Sequence, residues 1–261
     1  MKEILQVDKL CKTFKLSAKQ RKSMRTTDRT KRALHNLSFT AYEGEVFGLL
    51  GPNGAGKTTT LRILSTLIKP DSGNAVLDGI DVVGRPYDVR RRIGFLTSEL
   101  KLEEFFTPDY LFDFFSALYN LPAESVQQRK SELFTRFDVT GFAHVKVGNL
   151  STGMKQKVSL LISMVHDPDV IIFDEPTNGL DVLTARVVTD FLLELKGRGK
   201  TLIVSTHIFS LVEKICDRVG IIVEGELAAC DSLPNLTKGA DLETVFFDIH
   251  DRLARSRGVA L

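Results

Sequence analysis

The chain has 261 residues, 43% of them hydrophobic and 26% charged, which suits one large globular domain or two modest ones with a substantial core. The net charge of +2 gives no argument for nucleic-acid binding. The three cysteines are odd in number and far apart, which excludes metal-site spacing and indicates a reducing compartment. No signal-peptide pattern opens the chain, and no apolar run approaches the roughly 18–20 residues of a membrane span. We therefore expect any action on a membrane to pass through a partner.

The first segment changes from apolar to basic. Ile4 to Leu10 alternates apolar and polar residues, which predicts a half-buried strand. From Lys9 through Arg32 there are ten Lys or Arg and one acid, Asp28, and we expect residues 15–32 to form a long, mobile loop. Two interpretations of this loop stay open. It is a solvated loop, or it meets anionic lipid headgroups, where each basic residue would add about 1 kcal/mol.

A glycine-rich loop follows the predicted strands Leu34 to Tyr42 and Glu45 to Leu50. Its pattern of glycine, four residues and Gly-Lys-Thr is that of a phosphate-binding loop, and it reads Gly51-Pro52-Asn53-Gly54-Ala55-Gly56-Lys57-Thr58-Thr59. The glycines let backbone N–H groups approach phosphate oxygens where side chains would clash. We predict a helix over Lys57 to Ser65, whose N-terminus favours anions.

Three side chains at this helix start have predicted roles. Lys57 reaches the terminal phosphates, the Thr58 hydroxyl ligates Mg²⁺, and Thr59 bonds an inner phosphate. The alternative is a plain glycine-rich turn, which the full strand–loop–helix pattern disfavours.

The middle of the chain is helical in character. Short strands at Ala75 to Leu77 and Ile93 to Leu96 precede it. From Glu103 to Leu150 aromatic residues recur at helical spacing without β-branched runs, so we predict a helical subdomain inserted into an α/β core. The aromatic stripe is expected to be its packing core, with part of the surface left for a partner.

After this insertion strands and helices alternate again. Buried strands are predicted at Val170 to Phe173 and Thr201 to Ser205, with a helix at Val182 to Lys196 between them. The predicted fold class is α/β, a phosphate-loop NTPase core with a mainly parallel sheet, an antiparallel β subdomain and an inserted α-helical subdomain. The expected units are a core with β subdomain at 1–98 and 167–231, the helical subdomain at 99–166, and a short helical tail at 232–261.

Two carboxylates close the strand Val170 to Phe173. Ligands of open α/β sheets lie beyond the carboxyl ends of the strands, so Asp174 is expected near the Mg²⁺ held by Thr58. Glu175 would then orient or deprotonate an attacking water. His207 follows the strand Thr201 to Ser205 at the same edge and would bond the terminal phosphate.

A second motif identifies the family. Leu150-Ser151-Thr152-Gly153-Met154 resembles the signature motif of ATP-binding-cassette ATPases, usually Leu-Ser-Gly-Gly-Gln, although Thr152 and Met154 depart from the commonest form. The resemblance covers Leu5 to about Ala229, with four motifs in the family's order. It implies that Ser151 and Gly153 complete the nucleotide site of the opposite subunit, so that two cassettes enclose two ATP.

The resemblance also assigns roles to single residues. It implies that Glu175 is the catalytic glutamate, that His207 is the switch histidine, and that Phe14 stacks on adenine. ATP and Mg²⁺ are the expected ligands. Where the family usually has a glutamine that touches Mg²⁺, this chain has Ser98, whose hydroxyl reaches less far. The form Thr97-Ser98-Glu99, with the segment around Phe105 to Tyr119, is most similar to ATPase subunits of the sodium-extrusion branch of bacterial exporters.

The expected function is therefore the ATP-hydrolysing subunit of a membrane transporter, most simply an exporter, with sodium among its candidate cargoes. The expected partners are an integral membrane permease and a second cassette, identical or paralogous, on the cytoplasmic side of the membrane, and no nucleic acid. A soluble cassette ATPase acting on ribosomes or DNA is disfavoured by the single cassette and the lack of a heptad run. A catalytically idle ATP sensor is disfavoured by the intact Lys57, Asp174, Glu175 and His207.

Overall fold

The computed structural model describes residues 2–23, 25–97 and 102–256. Its strands are β1 Glu3–Lys15, β2 Thr30–Tyr42, β3 Val46–Leu50, β4 Ser72–Leu77, β5 Ile80–Asp81, β6 Ile93–Thr97, β7 Val170–Asp174, β8 Thr201–Thr206, β9 Arg218–Val223 and β10 Glu226–Ser232. Its helices are α1 Ala18–Ser23, α2 Lys57–Leu64, α3 Pro86–Arg92, α4 Pro108–Leu118, α5 Ala123–Arg136, α6 Thr152–Ser163, α7 Val182–Gly197, α8 Phe209–Ile215, α9 Leu233–Thr237 and α10 Leu242–Ser256.

The strands form two sheets. A six-stranded sheet has the order β10-β9-β3-β8-β7-β6, parallel throughout except for the edge strand β10. An antiparallel sheet has the order β2-β1-β4-β5. The predicted fold class is confirmed. Because β3, β8 and β7 are parallel neighbours, their carboxyl ends meet at one edge of the sheet.

Each face of the six-stranded sheet is covered by its own hydrophobic core. Strand β7 illustrates the division, because Ile171 and Phe173 join one core while Val170 and Ile172 join the other. The first core includes the buried residues of α4 to α8, and the second includes α2 and the antiparallel sheet. Strands buried on both faces read as continuous apolar runs, which is why β3, β7 and β8 were visible in the sequence.

The helical insertion buries only part of its aromatic stripe. Helix α4 begins at Pro108, and the Thr107 hydroxyl caps it by accepting from the Tyr110 N–H at 3.2 Å. Phe112 is fully buried, but Phe105 is 61% and Phe114 45% exposed. The predicted packing core is thus correct for Phe112 and wrong for Phe105, Tyr110 and Phe114, which form a surface instead.

A half-buried histidine joins this insertion to the sheet. The His166 ring stacks on Tyr119 with 3.9 Å between ring centroids, and its Nε2 lies 3.0 Å from the Ile93 carbonyl oxygen. Within the described residues its buried Nδ1 has no hydrogen-bond partner. Burial lowers the pKa of His166 to about 4, so the ring is neutral near pH 7.

The basic segment is more ordered in its backbone than the sequence predicted. Strand β1 continues to Lys15, where it pairs with Thr30 of β2, and α1 lies between the two strands. The prediction of a loop throughout residues 15–32 is therefore wrong. The reason is physical: an antiparallel ladder is held by backbone hydrogen bonds, so its solvated end needs no apolar pattern.

The three cysteines are free, with Cys11 and Cys216 buried and Cys230 half-buried. Burial raises the pKa of Cys216 to about 12, so this thiol is inert.

No helix in the described part of the chain is both long enough and apolar enough to cross a membrane.

Candidate nucleotide-binding site

Three strand ends build the site. The glycine-rich loop follows β3, His207 follows β8, and β7 ends in Asp174 with Glu175 next in the chain. Since β8 lies between β3 and β7, all three segments emerge at one edge of the sheet. The structure thus brings the glycine-rich loop, Asp174, Glu175 and His207 to the same edge, as expected from the sequence.

The course of the loop depends on its glycines. A Cβ on Gly51 would lie 2.2 Å from the Ile222 carbonyl oxygen, a distance that no side chain can occupy. Gly56 has a φ of +109°, and a Cβ there would lie 2.7 Å from the Ala33 carbonyl oxygen. Gly56 is also the N-cap of α2 and offers no side-chain cap, so the first N–H groups of that helix keep their capacity for an anion.

The lysine of the loop is buried and fully engaged. Lys57 is 5% exposed, and its ammonium donates to the carbonyl oxygens of Gly51 at 2.6 Å and Pro52 at 3.2 Å. It also lies 3.3 Å from Glu175 Oε1. The positive charge is therefore held at the loop by partners on both sides.

Two hydroxyl groups meet one carboxylate beside this lysine. The Thr58 hydroxyl donates to Asp174 Oδ1 at 3.1 Å, and the Ser205 hydroxyl donates to the same oxygen. Asp174 is 3% exposed, and Ser205 is fully buried. Ser205 was not predicted from the sequence, where its only signal is its place one residue before the end of β8.

Glu175 is held in an unusual conformation. Its φ of +52° lies in the left-handed region, which costs an L-residue about 1–3 kcal/mol unless its surroundings enforce it. Two hydrogen bonds hold the Glu175 backbone in this conformation: its N–H donates to the backbone oxygen of Ser205 at 3.1 Å and to the Ser205 hydroxyl oxygen at 3.2 Å. Both Glu175 carboxylate oxygens then lie 3.0 Å from His207 Nδ1. Glutamate and histidine thus form a pair directed by the strand ends.

A cavity of about 340 Å³ opens beside these groups. Its lining contains many of the residues that the sequence predicted for nucleotide binding, namely Phe14, Asn53, Gly54, Gly56, Lys57, Thr58 and Thr59, together with the predicted catalytic residue Glu175. Phe14 is 39% exposed, as an aromatic ring available for stacking must be. Lys31, Ala33 and Asn178 also line the cavity and were not singled out from the sequence.

The signature segment lies elsewhere. Ser151 is the N-cap of α6, and its hydroxyl accepts from the Met154 N–H at 3.2 Å. A Cβ on Gly153 would lie 2.9 Å from the Thr184 hydroxyl, so this glycine packs against the start of α7. Neither Ser151 nor Gly153 lines the cavity of its own chain.

The remaining predicted residues have different positions. Gly51, Pro52 and Ala55 belong to the loop but do not line the cavity; Pro52 is exposed and Ala55 is only 2% exposed. Ser98, the third candidate ligand of the metal, lies outside the described residues.

Comparison with known proteins agrees with this geometry. Residues 34–178 match the family model described as ABC transporter. The chain is 38% identical over 230 residues to the ABC transporter ATP-binding protein NatA of Bacillus subtilis (strain 168), which covers 86% of this chain and 94% of that protein. It is also 38% identical over 218 residues to the daunorubicin resistance ATP-binding protein DrrA2 of Streptomyces coeruleorubidus, covering 82% of this chain and 68% of that protein.

Solved structures give the same answer. One described as the ATP-binding subunit of an ABC transporter superposes with a TM-score of 0.82 at 26% identity, covering 95% of this chain and 99% of that one. A dimeric, post-hydrolysis form of the ATP-binding cassette MJ0796 with ADP and phosphate superposes with a TM-score of 0.76 at 26% identity, covering 88% of this chain and 99% of that one. The chain therefore belongs to the ABC transporter family, as a nucleotide-binding ATPase cassette.

Proposed function

We propose that this chain hydrolyses ATP to drive an ABC exporter whose permease is a separate membrane protein. The observation that carries the proposal is the meeting of Lys57, Thr58, Asp174, Glu175 and His207 at one edge of a parallel sheet. These are the groups that phosphoryl transfer needs, because its catalysis consists mainly of positioning and charge stabilisation.

Binding of the nucleotide follows from the cavity lining. The adenine stacks on Phe14, and the triphosphate lies along the loop from Asn53 to Thr59, with the N-terminus of α2 favouring its charge. The Lys57 ammonium exchanges a carbonyl partner for the terminal phosphates, and Thr59 bonds an inner phosphate.

A divalent cation fits the pair formed by Thr58 and Asp174. A hydroxyl and a carboxylate oxygen 3.1 Å apart are hard donors of the kind that Mg²⁺ takes together with phosphate oxygens and waters. The described residues contain no cluster of three or more His, Cys, Asp or Glu that would form a metal cage on its own, which suits an ion that arrives with the phosphates. When bound, Mg²⁺ neutralises phosphate charge; Thr58 and Asp174 would hold it, with Ser98 as a further candidate.

Hydrolysis requires a positioned water and a base. We assign the base to Glu175, which takes a proton from the water as the water oxygen bonds the γ-phosphorus and the bond to the bridging oxygen breaks, releasing ADP. His207 fixes the Glu175 carboxylate through its Nδ1. Its other ring nitrogen, Nε2, bonds the terminal phosphate. The two bonds from the Glu175 N–H to Ser205 hold the backbone in its left-handed conformation and so keep the carboxylate in this position.

A second copy or a paralogous cassette completes the site. We assign Ser151 and Gly153 to the nucleotide of the opposite subunit, because they lie at a helix N-terminus and away from the cavity of their own chain. The dimeric form of the cassette MJ0796 supports this assignment by similarity.

The partner is a membrane permease. Relatives carry names such as daunorubicin resistance and Nod factor export ATP-binding proteins, which favours export as the direction. Residues 99–166 would act as the helical subdomain, joined to the core at 1–98 and 167–231, and the exposed Phe105, Tyr110 and Phe114 supply an apolar surface for the permease. The cassette would sit on the cytoplasmic side of the membrane, and residues 232–261 would form its short C-terminal tail. The cargo belongs to the permease, and sodium remains a prediction from the sequence resemblance.

The basic segment 15–32 would add a weak contact with anionic lipid. Lys22, Arg25 and Arg29 are exposed, and no described carboxylate forms an ion pair with them. Vesicles of anionic lipid should then retain the wild-type chain more strongly than a variant with Arg21, Lys22, Arg25 and Arg29 changed to Gln. Equal retention of the two proteins would remove the lipid contact.

The main proposal is tested by purification from the native membrane. An exporter ATPase should co-purify with an integral membrane protein and release phosphate from Mg-ATP. Co-sedimentation with ribosomes or DNA and absence of a membrane partner would favour the soluble alternative. Tight ATP binding without phosphate release would favour an idle sensor.

A further inference from the structure

A second lysine faces the cavity from the β1–β2 hairpin. In the antiparallel register Phe14 lies opposite Lys31, and directly opposed residues project from the same face of a sheet. Both residues line the cavity. This neighbourhood was not predicted from the sequence, because 16 residues lie between the two positions.

The ammonium of Lys31 lies over the phosphate loop. A Cβ placed on Gly54 would be 3.6 Å from Lys31 Nζ, although the glycine itself comes from the other side of the cavity. Gly54 has a φ of +84° and no side chain, so the lysine approaches bare backbone.

Lys31 differs from Lys57 in what holds its charge. Lys57 is buried against two carbonyl oxygens and Glu175. Lys31 is exposed, and in the described part of the chain no carboxylate lies within ion-pair distance of it. Among the described residues that line the cavity the acid is Glu175, and it is already paired with Lys57 and His207. The cation is therefore available to an anion that enters the cavity.

We propose that Lys31 is a further nucleotide-binding residue whose ammonium binds the phosphate tail of the nucleotide. The inference rests on the proposed function, since it takes Phe14 as the platform of the base and the loop as the phosphate site. With the base on Phe14 and the phosphates on the loop, the phosphate tail comes close to the Lys31 ammonium, which lies beside Gly54 in the same cavity. The recognised chemistry is that of a nucleoside di- or triphosphate, and the contact adds a positive charge that the glycine-rich motif does not contain.

The other cations of the hairpin have no such position. Lys19 lies on α1 and does not line the cavity, yet it carries the same charge in the same exposed segment. Lys19→Gln is therefore the matched control for Lys31→Gln: each removes one positive charge from the hairpin, and only one removes it from the cavity.

The test is a fluorescence titration with trinitrophenyl-ATP, followed by displacement with Mg-ATP. Lys31→Gln should raise the Kd for Mg-ATP about fivefold, as expected for a partly exposed charge pair. Lys31→Arg should stay within about twofold of wild type, because it keeps the charge. Lys19→Gln should leave the Kd unchanged. The affinity of Lys31→Gln should also fall less steeply with added salt than that of wild type.

Two results would overturn the inference: an unchanged Kd for Lys31→Gln, or equal shifts for Lys31→Gln and Lys19→Gln, which would show only a long-range charge effect. A thermal unfolding midpoint equal to that of wild type confirms that Lys31→Gln is folded, and the arginine variant tests the same contact if it is not. Failure of the proposed function is distinguishable, since wild type itself would then bind no Mg-ATP.

Discussion

Charged side chains are buried and paired at the sheet edge beside the phosphate loop, but exposed in the basic hairpin, which is residues 15–32 between β1 and β2. At the edge Lys57, Asp174 and Glu175 are each less than a tenth exposed, and each has a charged or hydroxyl partner. In segment 15–32 the cations are mostly exposed, with Asp28 as the only acid of the stretch. Burial makes an unpaired charge expensive, so the edge tolerates few residue types. Exposure carries no such penalty, so the hairpin keeps cations free to meet an anion from outside.

The largest effect is expected from breaking the base at the edge. Glu175→Gln keeps the shape and the approach to Lys57 but removes the proton acceptor, so ATP hydrolysis should slow by about 10²–10⁴-fold while Mg-ATP binding persists. Phosphate release and nucleotide titration on the same preparation measure the two quantities.

The matched control is Glu124→Gln, a change of the same kind at an exposed position in the first turn of α5. It should hydrolyse ATP at the wild-type rate. Near-normal turnover of Glu175→Gln would take the role of base away from Glu175.

The second prediction concerns the backbone of the edge. Gly51→Ala puts a methyl group 2.2 Å from the Ile222 carbonyl oxygen, and the strain should lower the free energy of unfolding by about 1–3 kcal/mol. Gly197→Ala is the control, because a Cβ there meets nothing within 4 Å and the residue ends helix α7. It should be neutral or raise stability by up to about 1 kcal/mol. Urea denaturation decides, and equal stability of the two variants would show that the loop has room to move.

The third prediction tests whether burial also controls a charge away from the edge. The folded-state pKa of His166, about 4, lies below its ordinary value of 6.5, so between these values the unfolded chain binds a proton that the folded chain does not. Its contribution to stability is present above pH 6.5 and is lost as the pH falls towards 4. The expected loss is up to about 1 kcal/mol per pH unit, less than the full linkage value because the ring is partly exposed.

Urea denaturation across this pH range measures the slope. His166→Phe keeps a ring beside Tyr119 and should flatten it, at the cost of lower stability at pH 7 from the lost bond to the Ile93 carbonyl oxygen. Tyr119→Phe should keep the wild-type slope. An unchanged slope in His166→Phe would mean that the ring is protonated equally in both states.

The smallest effect is expected in the hairpin. Changing Lys22, Arg25 and Arg29 to Gln together should alter the free energy of unfolding by no more than about 0.5 kcal/mol, because the exposed side chains have no described acidic partner to lose. Denaturation at low and high salt provides the measurement. A large destabilisation would end the contrast between the two regions.

The predictability of the molecule follows the same division. The ends of β3, β7 and β8 could be predicted to within one or two residues, because strands buried on both faces are continuous apolar runs. The loop with Lys57 and Thr58 could be predicted because its chemistry restricts the residue types at each position.

The unpredicted parts depend on pairing rather than pattern. The outer end of β1 from Thr13 to Lys15 is exposed on all three residues and Phe14 is its single apolar residue, so no periodicity marks it as a strand. Lys31 reaches the cavity because it pairs with Phe14 in the β1–β2 ladder. The register of a strand pair is set by the hydrophobic pattern of its buried face, and this basic stretch has no such pattern. Likewise Ser205 contacts Asp174 only because β7 and β8 pair with Asp174 opposite Ser205.

That alternation of side chains along β7 has a consequence for how the chain tolerates insertions and deletions. Slippage of β7 by one position would send Ile171 and Phe173 to the opposite face and carry Asp174 off Thr58 in the same movement. The register of β7 thus determines both the position of Asp174 beside Thr58 and the packing of the two hydrophobic cores. A one-residue insertion or deletion that shifts the register of β7 cannot give a well-packed but inactive cassette. A point change such as Glu175→Gln can.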